Sequence, residues 1–182
     1  MSNWVISKEF DFCYGHRVWN QKLDAEFSLD NKCICRHLHG HQGKIIIKLS
    51  GSTLISGMVT DFKHLNWFKK FLDDVLDHKF IIDMHDPLFR MIIPHNDMVS
   101  EYPWICKSQG YSIINPDFYK TLADIRLIEL LEGYVVVDFV PTSENLSKWL
   151  FEIVQTKMDK LGVNVDSVQF YETPKSSSQY AR

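Results

Sequence analysis

Hydrophobic and polar positions alternate at the start of the chain. Trp4, Ile6, Phe10 and Phe12 share one parity, which predicts a half-buried strand reaching about Cys13, with His16 just past its end. Residues 20 to 34, "NQKLDAEFSLDNKCI", carry no period and are expected to form a loop. A second strand is expected through "HGHQGKIIIKLSG", where His39, His41, Ile45, Ile47 and Leu49 share one face and Gly51 closes the run. The two strands together resemble a wide hairpin.

The period then changes. In "TDFKHLNWFKKFLDDVLDH", Phe62, Leu65, Leu72, Val75 and Leu76 fall on one helical stripe, with Thr60 as the expected N-cap and Asp61 favourable to the helix dipole. A second helix follows "PTSEN". Leu146, Trp149, Leu150, Ile153, Val154, Met158 and Leu161 form its apolar face, Thr142 or Ser143 caps it, and Gly162 ends it. The C-terminal segment predicts a strand around 165 to 172 and a short one near 178 to 181, separated by Pro174. Between the helices, residues 84 to 134 show no clean period before "YVVVDFV", which has the composition of a strand.

A length of 182 residues suits a single domain, 1–182, with room for an insertion. A formal net charge of −3 without a Lys/Arg cluster argues against nucleic acid and for a small-molecule partner. No apolar run approaches the roughly 18 residues of a membrane span, and the start lacks the regions of a signal peptide, so a cytoplasmic protein with no membrane partner is expected. In that compartment the four cysteines, Cys13, Cys33, Cys35 and Cys106, are expected to be reduced.

The densest chemistry lies in "CICRHLHGHQG", residues 33 to 43. Side chains two apart on a strand share a face about 6.6 Å apart, close enough for His39 and His41 to meet one ion. His37 has the same parity but would lie about 13 Å from His41, too far for all three to share a tetrahedral centre, so a third ligand must come from elsewhere. A solvated, polar strand edge fits the same pattern.

"CRHLHGH", with "YGHRVWN" before it and "LDHKF", "PTSENL" and "YETP" after it in that order, resembles the 6-pyruvoyltetrahydropterin synthase and 6-carboxytetrahydropterin synthase superfamily. The likeness spans roughly residues 4 to 83 and 138 to 181, which makes 84 to 134 an insertion between the helices. It implies an α+β tunnelling fold, an antiparallel sheet with two helices packed on one face, in subunits that assemble as homo-hexamers or other homo-oligomers. It implies Zn2+ held by His16, His39 and His41, with a fourth position open as at a catalytic zinc.

The resemblance further implies that Cys35 is the base, that Asp77 and His78 relay its proton, and that Glu172 anchors the pterin edge by accepting two parallel donors. Thr142 and Ser143 would offer backbone groups to the pterin. Strand parity does not choose between Cys33 and Cys35; the match to the family position favours Cys35. Its four-residue step to His39 resembles the carboxy-forming branch. The implied activity is conversion of 7,8-dihydroneopterin triphosphate to 6-carboxy-5,6,7,8-tetrahydropterin, acetaldehyde and triphosphate, on the route to 7-deazaguanine (queuosine-type) nucleosides. The alternatives are 6-pyruvoyltetrahydropterin synthesis and a non-catalytic pterin- or zinc-binding role. Gly43 and Cys13 depart from the family pattern. His64, His85, His95 and Cys106 are expected to be structural or solvated, while Arg36 and His37 are expected near the site.

Overall fold

The computed structural model describes residues 4–29, 31–93, 104–107, 109–115 and 124–182. In chain order its main elements are β1 (Trp4–His16), β2 (His39–Gly51), α1 (Asn66–Phe71), β3 (Lys79–Asp83), α2 (Phe89–Ile92), β4 (Trp104–Lys107), β5 (Tyr111–Ile114), α3 (Ile125–Glu132), β6 (Tyr134–Val137), α4 (Ser143–Met158), β7 (Asn164–Thr173) and β8 (Ser176–Ala181). The chain divides into two compact units. One comprises Met1–Cys13, His41–Asp77 and Thr142–Arg182, the other Tyr14–Gly40 and His78–Pro141. The dividing lines run through β1 and β2 themselves, so each of these strands contributes to both units.

In the first unit, β2 pairs antiparallel with β7 in a register that sets Ile45 opposite Phe170 and Ile47 opposite Val168, and β7 pairs antiparallel with β8. Ile45, Ile47, Leu49, Val168 and Phe170 are fully buried. Each such side chain contributes roughly 1.5–3 kcal/mol relative to exposure. Helix α4 packs on β7 and β8 with Leu146, Trp149, Leu150, Ile153, Val154 and Met158 buried, as its periodicity predicts, while Leu161 is half exposed. The Thr142 side chain caps it by accepting from the Asn145 N–H at 3.3 Å, and Gly162 ends it with φ +65°.

The stretch before β3 is less regular than its stripe predicts. A 3-10 turn (Phe62–Leu65) leads into α1, and a π-helical turn (Leu72–Leu76) follows. Asp61 rather than Thr60 is the N-cap, its carboxylate accepting from the Lys63 N–H at 2.7 Å, because the Thr60 hydroxyl is taken up by His64 Nδ1 at 2.6 Å. Phe62 points to solvent, and Phe68 takes its place in the core against Phe10.

The second unit corrects the wholly antiparallel expectation. Here β3 runs parallel to β1, with Tyr14 opposite Lys79, and parallel to β6, with Ile81 opposite Val135; β5 and β4 then add antiparallel. The sheet is therefore mixed in an α+β fold, because the segment between α1 and α4 returns to the sheet instead of leaving it. That segment holds α2, β4, β5 and α3 and buries Phe89, Ile93, Ile114 and Leu131 against Ile82 and Val136. His16 is the last residue of β1 rather than a residue past it. No helix among the described residues is long and apolar enough to cross a membrane.

Candidate functional site

Two imidazoles come from the second unit. His16 is fully buried, and its Nδ1 lies 2.7 Å from the Pro141 carbonyl; His39 opens β2, and its Nδ1 lies 2.8 Å from the His37 carbonyl. A carbonyl oxygen only accepts, so each ring carries its proton on Nδ1 and turns a lone pair out at Nε2, the form in which a neutral histidine binds a metal. The two ring centroids are 4.6 Å apart. Gly40 makes this proximity possible: a Cβ there would sit 3.0 Å from the Tyr14 carbonyl oxygen. His37 thus serves through its backbone, holding the neighbouring ligand candidate in one tautomer.

The first unit supplies an imidazole and a carboxylate. His41 lies two residues beyond His39 on β2, on the face that carries buried Gly43, Ile45 and Ile47. Its Nε2 is 3.3 Å from Glu172 Oε1, and both side chains are half-buried. Glu172 sits at the irregularity in β7 between Tyr171 and Thr173. Neutral imidazole is a donor suited to Zn2+, and the tautomers that the two carbonyls fix at His16 and His39 fit such an ion.

The thiols separate differently from the sequence expectation. In the first unit, the Cys13 N–H donates to Asp77 Oδ1 at 2.8 Å, and the Cys13 sulfur lies within 4.8 Å of an Asp77 carboxylate oxygen. Cys13 carries no role in the sequence reading; the available signal was its place on the polar parity of β1, opposite Phe12 and Tyr14. His78, next after Asp77, is exposed and holds φ +59°, a backbone conformation that costs a non-glycine residue energy and recurs at functional positions.

Cys35 lies half-buried in the 3-10 turn Ile34–Arg36 of the second unit, where its carbonyl accepts from the Val18 N–H at 2.8 Å. The Cys33 sulfur accepts from the Cys35 N–H at 3.4 Å, so Cys33 caps the turn. The Arg36 guanidinium is spent on the Cys33 carbonyl at 2.7 Å. Thr142 spends its hydroxyl on the helix cap, and the Ser143 hydroxyl faces Glu144 at 3.4 Å, which leaves backbone groups as what this pair offers a ligand. His64 is bonded to Thr60 and His85 is exposed. His95 and the Cys106 side chain lie outside the described residues.

Sequence reasoning also passed over a buried polar group in the second unit: Arg17, Asp83 and Asp86 are each at most 7% exposed. Asp83 closes the apolar run Phe80–Ile82, and a carboxylate at the end of a buried strand is the signal that could have found it.

The chain is 31% identical over 189 residues to a 6-carboxy-5,6,7,8-tetrahydropterin synthase from Aquifex aeolicus, covering 97% of each chain, and 28% identical to one from Haemophilus influenzae, covering 96% of each. Among solved structures, an uncharacterized protein from Wolinella succinogenes is 49% identical with a TM-score of 0.92, over 100% of this chain and 99% of that one. A 6-pyruvoyl tetrahydropterin synthase from Caenorhabditis elegans, 20% identical with a TM-score of 0.57 over 100% of this chain and 97% of that one, shares the tunnelling fold. The 6-pyruvoyl tetrahydropterin synthase family model matches residues 5–182, nearly the whole length, and the chain belongs to that family.

Proposed function

We propose that the protein is a zinc-dependent 6-carboxy-5,6,7,8-tetrahydropterin synthase acting on 7,8-dihydroneopterin triphosphate. The observation that carries this reading is the pair of imidazoles at His16 and His39, each fixed with its proton on Nδ1 by a backbone carbonyl, the tautomer in which Nε2 is the ligand nitrogen. The names of the Aquifex and Haemophilus relatives and the four-residue step from Cys35 to His39 favour the carboxy over the pyruvoyl product.

His16, His39 and His41 hold the ion, which when bound supplies Lewis acidity to hydroxyls of the substrate side chain. Glu172, 3.3 Å from His41, accepts the two parallel donors of the pterin edge. Thr142 and Ser143 add backbone groups. Cys35 removes a proton from the substrate side chain, and Asp77 orients His78 to exchange it. The subunits form a homo-oligomer, for which a homo-hexamer is the family arrangement, in the cytoplasm. The edge strand β8, whose residues Ser176–Ala181 are largely solvent-exposed, leaves backbone groups available to a neighbour. The product feeds 7-deazaguanine synthesis.

The test is incubation of the zinc-loaded protein with 7,8-dihydroneopterin triphosphate and mass analysis of the products. Acetaldehyde with 6-carboxytetrahydropterin supports the proposal; 6-pyruvoyltetrahydropterin would replace it with the other branch; no turnover would leave a binding protein. Single Ala substitutions at His16, His39 or His41 should sharply lower zinc content measured by metal analysis, while His37→Ala should retain it. Equal loss from His37→Ala would show the ligand set to be wrong.

A further inference from the structure

Arg17, Trp19, Asp83 and Asp86 form a bonded network inside the second unit that the proposed chemistry does not use. Arg17 Nε lies 3.1 Å from Asp86 Oδ2, with the two side chains 8% and 1% exposed, and Trp19 Nε1 donates to Asp83 Oδ2 at 3.0 Å. Each aspartate divides its oxygens in the same way. The second oxygen of Asp83 accepts from the His85 N–H at 2.9 Å, and that of Asp86 accepts from the Leu88 N–H at 2.8 Å, while the Asp86 N–H donates to the Asp83 carbonyl at 3.0 Å. One oxygen of each carboxylate thus shapes the turn that follows β3, and the other grips the segment that follows β1.

Between Arg17 and Trp19, Val18 makes a separate connection. Its N–H donates to the Cys35 carbonyl at 2.8 Å, and its side chain is buried. The three-residue segment is therefore tied on one side to the turn at Asp83–Asp86 and on the other to the turn that carries Cys35, and its N-terminal neighbour is His16. Stability alone is a poor reason for such a network. A buried ion pair pays heavy desolvation and often does no better than apolar residues of the same volume, whereas it does hold its partners in one geometry.

We propose that Arg17, Asp86, Trp19 and Asp83 are positioning residues that fix His16 and the Cys35 turn relative to each other. This rests on the reading of His16 as a zinc ligand and Cys35 as the base. It also gives Asp86, near the start of the stretch set apart as an insertion, a part in the site.

The experiment compares Asp86→Asn, Trp19→Phe and the apolar pair Arg17→Met with Asp86→Leu, in the full-length zinc-loaded protein, by thermal melting, zinc content, iodoacetamide labelling of Cys35 followed by peptide mass, and steady-state kinetics. Residues that orient metal ligands typically cost about 10- to 100-fold in metal affinity or activity when removed. Asp86→Asn and Trp19→Phe should lower kcat by about tenfold or more with little change in KM, and labelling of Cys35 should quicken severalfold as its turn is released. The apolar pair should melt near the wild-type temperature yet keep the low kcat and the altered labelling. Recovery of kcat and labelling together with stability in the apolar pair would reduce the network to a structural role and overturn the proposal, as would wild-type labelling, zinc content and kcat in Trp19→Phe, which removes the indole N–H with part of the ring, introduces no charge and serves even if the charge variants fail to fold. If the wild-type protein does not turn over dihydroneopterin triphosphate, the functional proposal fails, while labelling and zinc content still decide whether the network positions the turn and the ligand.

Discussion

The two units bury different things. In the first, the polar side chains among the described buried residues are Ser147 and Ser167, and the rest of its interior is aliphatic and aromatic. In the second, a histidine, an arginine and two aspartates, His16, Arg17, Asp83 and Asp86, are buried beside an apolar cluster. Apolar burial stabilises in proportion to area and tolerates exchange among similar shapes, while buried charge is costly unless every member keeps its partner. The first interior is built to hold a sheet together; the second sacrifices some of that margin to hold particular atoms in place.

Substitutions in the two units should therefore fail in different ways. The largest effect is expected from Cys35→Ala, which should lower turnover by about 10²- to 10⁴-fold as a lost general base while leaving zinc content and melting temperature at wild-type values. An active Cys35→Ala protein would move the role elsewhere, and the Cys13 thiol beside Asp77 would be the next to test.

Phe170→Ala, in the first unit, should do the reverse. Removing a fully buried ring that packs edge-on to Phe12 should cost about 3–5 kcal/mol in urea unfolding, with activity per folded molecule retained at low temperature. A loss below about 1 kcal/mol would contradict the tight packing of that interior.

Glu172→Gln puts an amide donor where, in the proposed role, a carboxylate would accept two bonds. The loss of a charged hydrogen bond, about 1.5–3 kcal/mol, corresponds to roughly a ten- to hundredfold rise in apparent KM; an unchanged KM would end its role as the pterin anchor. Thr142→Ala removes the helix-cap hydroxyl and should lower stability by about 1 kcal/mol with KM unchanged, since the backbone groups proposed to meet the pterin remain. A raised KM would show that the hydroxyl itself binds.

What was legible in the sequence follows the same division. Helix α4, β2 and β7 were readable because their burial is periodic: Leu146, Leu150 and Val154 repeat at helical spacing, and Ile45, Ile47 and Leu49 at strand spacing. The run Phe62–Leu76 was placed but misread as one regular helix from Thr60, since a 3-10 start and a π turn shift the stripe and bring in Phe68 for Phe62. The parallel pairing of β3 was invisible because neighbours in a sheet are a tertiary choice, and short apolar runs such as "FIID" and "YVVV" fit either direction. His16, His39 and His41 were singled out through motif and parity as candidates, but their tautomers were not legible, because the Pro141 carbonyl that fixes His16 lies 125 residues away. Arg17 and Asp86 escaped for the same reason: a charged residue shows no sign of burial until its partner is known.

The route of β1 and β2 through both units bears on how this chain could change by recombination. A transferable module is bounded by cuts in exposed connections, whereas separating these units requires cuts between Cys13 and Tyr14 and between Gly40 and His41, inside hydrogen-bonded strands. Each fragment would carry a severed strand with open backbone groups. The segment from 84 to 134 therefore cannot be exchanged together with the whole of its unit unless β1 and β2 are cut.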